Sequence, residues 1–256
     1  QLCLAANRSK LEAEGYDLAY PGRDGAPGGM LHLRLPKPRH SKEDLPEFTA
    51  KVTKTLMRHV TGDSGGLILS DENVLGLIVH FFSGRLYPAR RKRLLAFRGG
   101  LEAIEAEVAH ILLVIRSYEE LFVSGYRKHA EDNSVEPFEA IAQTMTDFSG
   151  GWPDTIKAVQ NVLKPAAITV IEYGARGESR DLLGPLLGCD PSTFTEPERQ
   201  MNISATDAAM LALQEIYASG RTLRRAEWQQ IIRSQAGNDE DLGFARFPEA
   251  ERAALD

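Results

Sequence analysis

The chain has 256 residues, of which 43% are hydrophobic, and this is enough for one large domain. Its formal net charge is −6, which argues against a general nucleic-acid-binding protein. Two isolated cysteines, Cys3 and Cys189, offer no disulfide framework and no zinc cluster, and no apolar run is long enough to span a bilayer. We therefore expect a cytoplasmic protein without a membrane span, a metal or a nucleic-acid partner.

Strands and helices alternate along the first two thirds of the chain. Short apolar runs predict strands at 16–20, 65–70, 109–116 and 166–173. The last three are nearly continuous in Leu, Ile and Val, which is typical of parallel strands covered on both faces. Helical patterns lie between them, at about 43–60, 73–97 with breaks, 101–108, 118–130, 136–147 and 153–163. The alternation predicts an α/β fold, a three-layer sandwich around a central parallel sheet.

The last part of the chain has a mostly helical pattern, near 180–187, 204–219 and 223–234. We therefore expect a single domain over 1–256, with an α/β core over 1–180 and a helical region over 181–256. The chain begins within a helical pattern that Gly15 would end, and it stops in a helix that starts near Pro248. Both ends are expected to be cuts through a longer protein.

The segment "VIRSYEELFVS" ends a hydrophobic strand on a charged residue. Ser117 and Glu120 have the spacing of a capping box, so Ser117 is expected to cap the next helix. Arg116 then stands at the strand's carboxyl end, where open parallel sheets bind their ligands. Ser124 lies two turns along the helix, about 10 Å from the cap. Such a guanidinium and hydroxyl could close on one phosphate, although an ordinary surface arginine and a helix-interior serine would have the same spacing.

A second group of polar residues follows the strand at 65–70. Ser70, Asp71 and Glu72 stand where that strand is expected to give way to a helix. A serine cap and acids in a first helical turn would explain the pattern structurally. A buried carboxylate here could instead act as a base that takes a proton from a substrate hydroxyl. We assign that role to Glu72, with Ser70 near the reacting groups.

The run "YPARRKRLLAFR" at 87–98 is basic in an otherwise acidic protein. Such runs usually form the solvated face of a helix. The functional alternative is that this run steers an anionic donor or acceptor towards the protein.

Several segments, taken in order, resemble the sulfotransferase family that uses 3′-phosphoadenosine 5′-phosphosulfate (PAPS), in its bacterial form. "VIRSYEELFVSGYR" resembles the family's site for the donor's 3′-phosphate, and "NRSKLEAEGYDLAYPG" its first helix and second strand. "LILSDEN" is similar to the end of the following strand. Later parts are matched by "GWPDTIKAVQNVLKPAAITVIEYG", "LLGPLLGCD" and "MNISATDAAMLAL". The resemblance covers about residues 1 to 215.

The resemblance implies a P-loop NTPase-like sulfotransferase topology, with PAPS as co-substrate and no metal. Arg116 and Ser124 would bind the donor's 3′-phosphate. Trp152, with Phe148, could stack on the adenine, since family members use aromatic residues there; the alternative is that Trp152 only packs at a helix entry. His32 follows a Gly/Pro-rich loop that is expected to be mobile, and it would contact the acceptor or replace the carboxylate base, unless it is merely structural or exposed.

One element of the family is missing from residues 1–256. The family binds the 5′-phosphosulfate in a loop of the form Lys-x-Gly-Thr-Thr, before the helix in which this chain begins. Backbone N–H groups at a helix N-terminus form a natural anion cradle. The resemblance therefore implies that this loop precedes Gln1 in the natural protein, and that the chain as it stands is inactive or weakly active.

We thus expect a sulfotransferase that moves a sulfuryl group from PAPS to a hydroxyl or amine. The acceptor is a small molecule or a saccharide that the sequence does not identify, and the oligomeric state is open. The alternative is a non-catalytic, sulfotransferase-like protein that binds a nucleotide or another ligand. A nucleotide kinase of the same layered fold would need a complete Walker loop, which residues 1–256 do not contain.

Overall fold

The computed structural model describes residues 1–198, 205–238 and 240–255. These residues fall into two compact units. The first comprises Gln1–Gly76, Pro88–Ile115 and the described part of 152–201; the second comprises Leu77–Tyr87, Arg116–Gly151 and the described part of 202–256. The start of the "MNIS" segment, at 201–204, lies outside the described residues. The single domain with its core over 1–180 stays a prediction.

The predicted strands are confirmed, each to within one residue at either end. They are β1 Tyr16–Ala19, β2 Gly66–Leu69, β3 His110–Ile115 and β4 Ala167–Glu172, all in the first unit. β1 pairs with β2 and β3 pairs with β4, both in parallel. The protein is therefore a mixed α/β structure with small parallel sheets, and the described strands form two separate pairs.

The described residues also form α-helices and short 3₁₀ helices. The α-helices are α1 Leu2–Ala6, α2 Arg8–Ala13, α3 Leu45–Leu56, α4 Arg90–Glu102, α5 Tyr118–Ala130, α6 Phe138–Thr146, α7 Trp152–Leu163, α8 Leu183–Leu187, α9 Asp207–Ala218, α10 Arg225–Ser234 and α11 Glu249–Arg252. Short 3₁₀ helices cover Arg23–Gly25, Ile78–Ser83, Tyr173–Ala175, Arg180–Leu182 and Pro191–Thr193. α5 has the bounds predicted from the sequence.

The helix α4 runs through Gly99 and Gly100, where the sequence suggested a break, so the separate helix predicted at 101–108 is wrong. The glycines let α3 approach: a Cβ on Gly100 would lie 2.4 Å from the Val52 Cγ1 atom. Val52 is fully buried. Burying such a side chain stabilises by about 1.5–3 kcal/mol, which outweighs the roughly 1 kcal/mol that glycine costs inside a helix. α4 ends in a turn with Glu105 at φ 55°.

The strand β3 is less buried than its continuous apolar sequence predicted. Leu94 of α4 and Val159 of α7 pack on the side of the sheet that carries Ile111 and Leu113. Val114, whose side chain points to the other face, remains 36% exposed. The expectation of strands covered on both faces is therefore not met for this pair.

Aromatic side chains form the core of the second unit. Phe122 and Tyr126 of α5 are buried, as is Phe138 of α6. The ring of Phe138 lies 5.0 Å from that of Tyr126 and 4.8 Å from that of Phe247. Burial raises the pKa of Tyr126 to about 12, and its hydroxyl donates to the Glu136 carbonyl at 2.7 Å. This packing fixes one face of α5 and leaves its other face to carry polar residues.

Candidate functional site

The carboxyl ends of β1 and β2 meet, as parallel pairing requires. The Ser70 N–H donates to the Ala19 carbonyl at 2.9 Å, which extends the ladder by one residue. The chain then turns: Asp71 Oδ1 accepts the Asn73 N–H at 2.9 Å. No helix begins at this point, so the interpretation of half-buried Ser70 as a helix cap is wrong. The Asp71 side chain hydrogen-bonds to the backbone two residues further on, and this turn stands where a helix was expected to begin.

Arg23 binds both carboxylates that follow β2. Its Nη1 lies 2.5 Å from Glu72 Oε1 and its Nη2 lies 3.4 Å from Asp71 Oδ1. The Asp71 side chain is 5% exposed, whereas that of Glu72 is 63% exposed. The buried carboxylate at this position is therefore Asp71, and not Glu72 as expected. Glu72 stands at the surface in an ion pair, and its role as a base stays a prediction.

A second arginine holds the same turn from inside the unit. Arg93 lies in the first turn of α4 and is only 7% exposed. Its Nε donates to the Val74 carbonyl at 2.9 Å, its Nη1 to the Pro36 carbonyl at 2.9 Å, and its Nη2 to the Asn73 carbonyl. Burial lowers the pKa of Arg93 to about 10, although the negative charge of Asp71 opposes this shift.

Sequence reasoning missed Arg93 because it lies in the basic run at 87–98. A signal was present, since Arg93 shares helical spacing with Ala96, Phe97 and Gly100, all of which are buried. Other cations of the run also have partners: Arg98 pairs with Glu102 at 2.6 Å, Arg90 pairs with Asp154 at 3.7 Å, and Lys92 Nζ donates to the Pro38 carbonyl at 2.9 Å. In this run Arg91 is exposed, Arg90, Lys92 and Arg98 are half-buried, and Arg93 is buried. The steering role of the run stays a prediction.

The Gly/Pro-rich loop before His32 is tied down. The Tyr20 hydroxyl donates to the Pro27 carbonyl at 2.7 Å, and Arg8 Nη2 donates to the Gly28 carbonyl at 3.1 Å. These bonds differ from the expectation of a mobile loop. The bond from Arg8 was not foreseen because Arg8 lies 20 residues before Gly28. His32 is exposed in the irregular segment that follows. Its role towards an acceptor stays a prediction.

Arg116 and Ser124 belong to the second unit, at the start of α5. Ser117 caps this helix as predicted, because its Oγ accepts the Glu120 N–H at 3.3 Å. The buried face of α5 comprises Phe122, Gly125, Tyr126 and Ala130. By helical geometry, Ser124 lies on the side opposite to that face, about two turns or 10 Å from the cap. Ser124 and Arg116 are both half-buried.

The two aromatic candidates have different surroundings. Trp152 is the first residue of α7, in the first unit, and is half-buried. Phe148 belongs to the second unit, where its ring lies 4.5 Å from Tyr118 and 5.2 Å from Phe122. Phe148 is therefore part of an aromatic cluster, and stacking of Trp152 on adenine stays a prediction.

The second unit also contains an open cavity of about 510 Å³ beside α5. Val123, Arg127 and Asp207 contribute to its wall. Arg127 pairs with Asp207, and Arg252, also in the wall, pairs with Glu119 at 2.8 Å. Arg116 and Ser124 are not among the described residues that line it. The cavity is therefore a structural feature of α5 that is separate from the predicted phosphate-binding pair.

No group of three His, Cys, Asp or Glu side chains among the described residues is arranged as metal ligands would be. Within the same residues, no helix combines the length and the apolar character that crossing a bilayer requires. The sequence matches no family model, and neither a curated protein nor a solved structure matches the chain.

Proposed function

We propose that the protein is a sulfotransferase that uses PAPS and sulfates a hydroxyl or an amine. The observation that carries this proposal is the start of α5. Arg116 directly follows β3 in the chain, Ser117 caps the helix, and Ser124 lies away from the buried face. This arrangement supports a role for a guanidinium and a hydroxyl in binding one phosphate. The resemblance of "VIRSYEELFVSGYR" to the 3′-phosphate site of sulfotransferases supports PAPS as the donor.

Four of the candidate residues have a definite task in this reaction. Arg116 and Ser124 bind the 3′-phosphate, and Trp152 stacks on the adenine. Glu72 takes the proton of the acceptor while the bond from sulfur to the donor's 5′-phosphate breaks and a bond from sulfur to the acceptor forms. The product 3′,5′-adenosine bisphosphate then leaves. Such transfers depend mainly on positioning and on stabilising charge, so no metal is required by this scheme.

The proposal extends to the fold and to the cellular location. In it, the two parallel strand pairs belong to one central sheet of a three-layer sandwich, as in the sulfotransferases that the sequence resembles. Parallel pairing of both sheets supports this, because parallel strands need crossover connections and are usually covered by helices. The protein is cytoplasmic, which the free cysteines Cys3 and Cys189 support.

A second candidate function is binding without transfer. The observation that favours it is the ion pair between Arg23 and Glu72, in which Oε1 of the proposed base is occupied by a guanidinium at 2.5 Å. A binding protein would need no free base, and Ser70 and His32 would then have no part in chemistry.

The deciding experiment is transfer of labelled sulfate from PAPS to a panel of saccharides, phenols and amines. The protein is used together with any residues that its gene encodes before Gln1. We expect transfer by the wild type, no transfer but unchanged binding of 3′,5′-adenosine bisphosphate by Glu72→Gln, and loss of binding by Arg116→Ala. Binding without transfer to any acceptor would favour the second candidate. If the bisphosphate does not bind at all, the sulfotransferase fails, and the second candidate fails as a binder of this nucleotide.

A further inference from the structure

Arg93 is a buried cation whose hydrogen bonds go to backbone carbonyl groups. Taking a charge out of water costs several kcal/mol in a protein interior, and this cost is acceptable only where every donor is satisfied. The three guanidinium nitrogens reach three carbonyl oxygens, those of Pro36, Asn73 and Val74. An arginine kept in such a position is a strong constraint on the backbone that it binds.

The carbonyls belong to two irregular segments of the first unit. Residues 71–76 form the turn after β2, and residues 31–36 belong to the irregular stretch that precedes α3. Neither segment has a helix or a sheet ladder to satisfy its carbonyls, so side chains must do so. The first segment carries Glu72 and the second carries His32. Arg93 therefore joins the two stretches on which the residues assigned to the acceptor stand.

We infer that Arg93 is a positioning residue, which fixes the turn carrying Glu72 against the segment carrying His32. The roles of Glu72 and His32 in this inference rest on the proposed function, whereas the contacts of Arg93 with the two segments do not. Arg93 acts through the backbone and does not touch the acceptor. A planar guanidinium directs its donors along fixed lines towards the three carbonyls, whereas the ammonium of a lysine is a single point on a flexible stem and does not fix those directions.

The test compares Arg93→Lys with Arg91→Lys, which changes an exposed arginine of the same helix. The first readout is hydrogen–deuterium exchange. In Arg93→Lys we expect exchange of residues 71–76 to become about tenfold faster, with α3 unchanged, because only the local opening free energy falls. Arg91→Lys should exchange as the wild type does. If Arg93→Lys does not fold, Arg93→Gln, which removes the buried charge, replaces it.

The second readout is steady-state transfer. Misplacing a base by about 1 Å costs up to roughly a hundredfold in turnover, so kcat should fall about ten- to hundredfold in Arg93→Lys while the KM for PAPS stays within about twofold. Added guanidinium chloride should restore part of the turnover of Arg93→Ala and none of that of Glu72→Gln.

The inference fails if Arg93→Lys leaves exchange of residues 71–76 unchanged, or accelerates exchange equally throughout the first unit. It also fails if kcat is unchanged in an active enzyme. If the wild type transfers no sulfate, the proposed function fails, and the exchange comparison alone still decides whether Arg93 fixes this turn.

Discussion

Arg127 of α5 forms an ion pair with Asp207, the first residue of α9, and the two side chains are only 20% and 11% exposed. The other oxygen of Asp207 accepts the N–H groups of Leu242 at 3.1 Å and Phe244 at 3.0 Å. Burial alone would raise the pKa of Asp207, but the hydrogen bonds and the charge of Arg127 hold it below its ordinary value. One carboxylate thus joins α5, α9 and the segment before α11.

We expect Asp207→Asn to destabilise the second unit. The asparagine removes the charge that Arg127 requires, and its NH2 group would face N–H donors. Hydrogen bonds to a charged group contribute about 1.5–3 kcal/mol each, so a loss of roughly 2–3 kcal/mol in unfolding free energy is expected. Urea unfolding measures it. The matched control is Glu102→Gln, which removes an exposed pair with Arg98 and should change the free energy by less than about 0.5 kcal/mol.

Stability should depend on pH through Asp17 of β1. Burial would raise the pKa of Asp17, but bonds from Ser64 Oγ at 2.6 Å and the Thr61 N–H at 2.9 Å hold it below its ordinary value of 3.8. A lowered folded-state pKa contributes stability that is present above the unfolded-state pKa and lost as the pH falls through the folded-state value. Asp17→Asn should therefore be less stable than the wild type at pH 7, and the difference should shrink below about pH 4.

Thermal unfolding measured from pH 7 down to pH 3 checks this expectation. Asp63→Asn is the matched control, because Asp63 is exposed and lies between Thr61 and Ser64, the two residues that bind Asp17, and its unfolding curve should follow that of the wild type. A gap between Asp17→Asn and the wild type that stays constant over the whole range would contradict the assigned role of the carboxylate.

Gly100→Ala should weaken the packing of α3 on α4. Alanine improves helix propensity by about 1 kcal/mol, but its Cβ would lie 2.4 Å from Val52 Cγ1 and 2.9 Å from Val52 Cβ. Overpacking of this kind costs about 1–3 kcal/mol, so we expect a net loss of unfolding free energy in urea titrations. Gly174→Ala is the control, since nothing lies within 4 Å of the added Cβ. Equal or greater stability of Gly100→Ala would show that α3 can move away at no cost.

Features that depend on local sequence were predictable. The continuous Ile, Leu and Val of β3 and the serine cap at Ser117 act within a few residues of the chain, and the strand bounds and α5 were read correctly. Parallel pairing also followed, because helices separate the strands.

Features that depend on distant residues were not predictable. Arg93 binds carbonyls up to 57 residues away, and Arg23 binds Glu72 across 49 residues. In the sequence both are ordinary charged residues, and only the fold shows that one is buried and the other neutralises the proposed base. The burial of Asp71 rather than Glu72 has the same cause, since a turn replaced the expected helix and reversed which side chain points inward.

The role of Arg116 and Ser124 can be tested by a double-mutant cycle. If both bind one phosphate, Arg116→Ala and Ser124→Ala should each weaken binding of 3′,5′-adenosine bisphosphate, by about 1.5–3 kcal/mol for the arginine and about 1 kcal/mol for the serine. The loss of binding free energy in the double variant should differ from the sum of the two single losses by at least about 0.5 kcal/mol, because the two groups share a partner. Isothermal titration at constant ionic strength measures these affinities.

Adenosine 5′-monophosphate, which lacks the 3′-phosphate, serves as the matched probe, and its affinity should be the same in all four proteins. Ser117→Ala separates a loss of helix structure from a loss of contact, since removing a cap costs about 1 kcal/mol of stability and should leave bisphosphate binding nearly intact. Additive losses in the double variant, or equal losses for both nucleotides, would mean that Arg116 and Ser124 do not meet at a 3′-phosphate, because neither result requires a shared charged group.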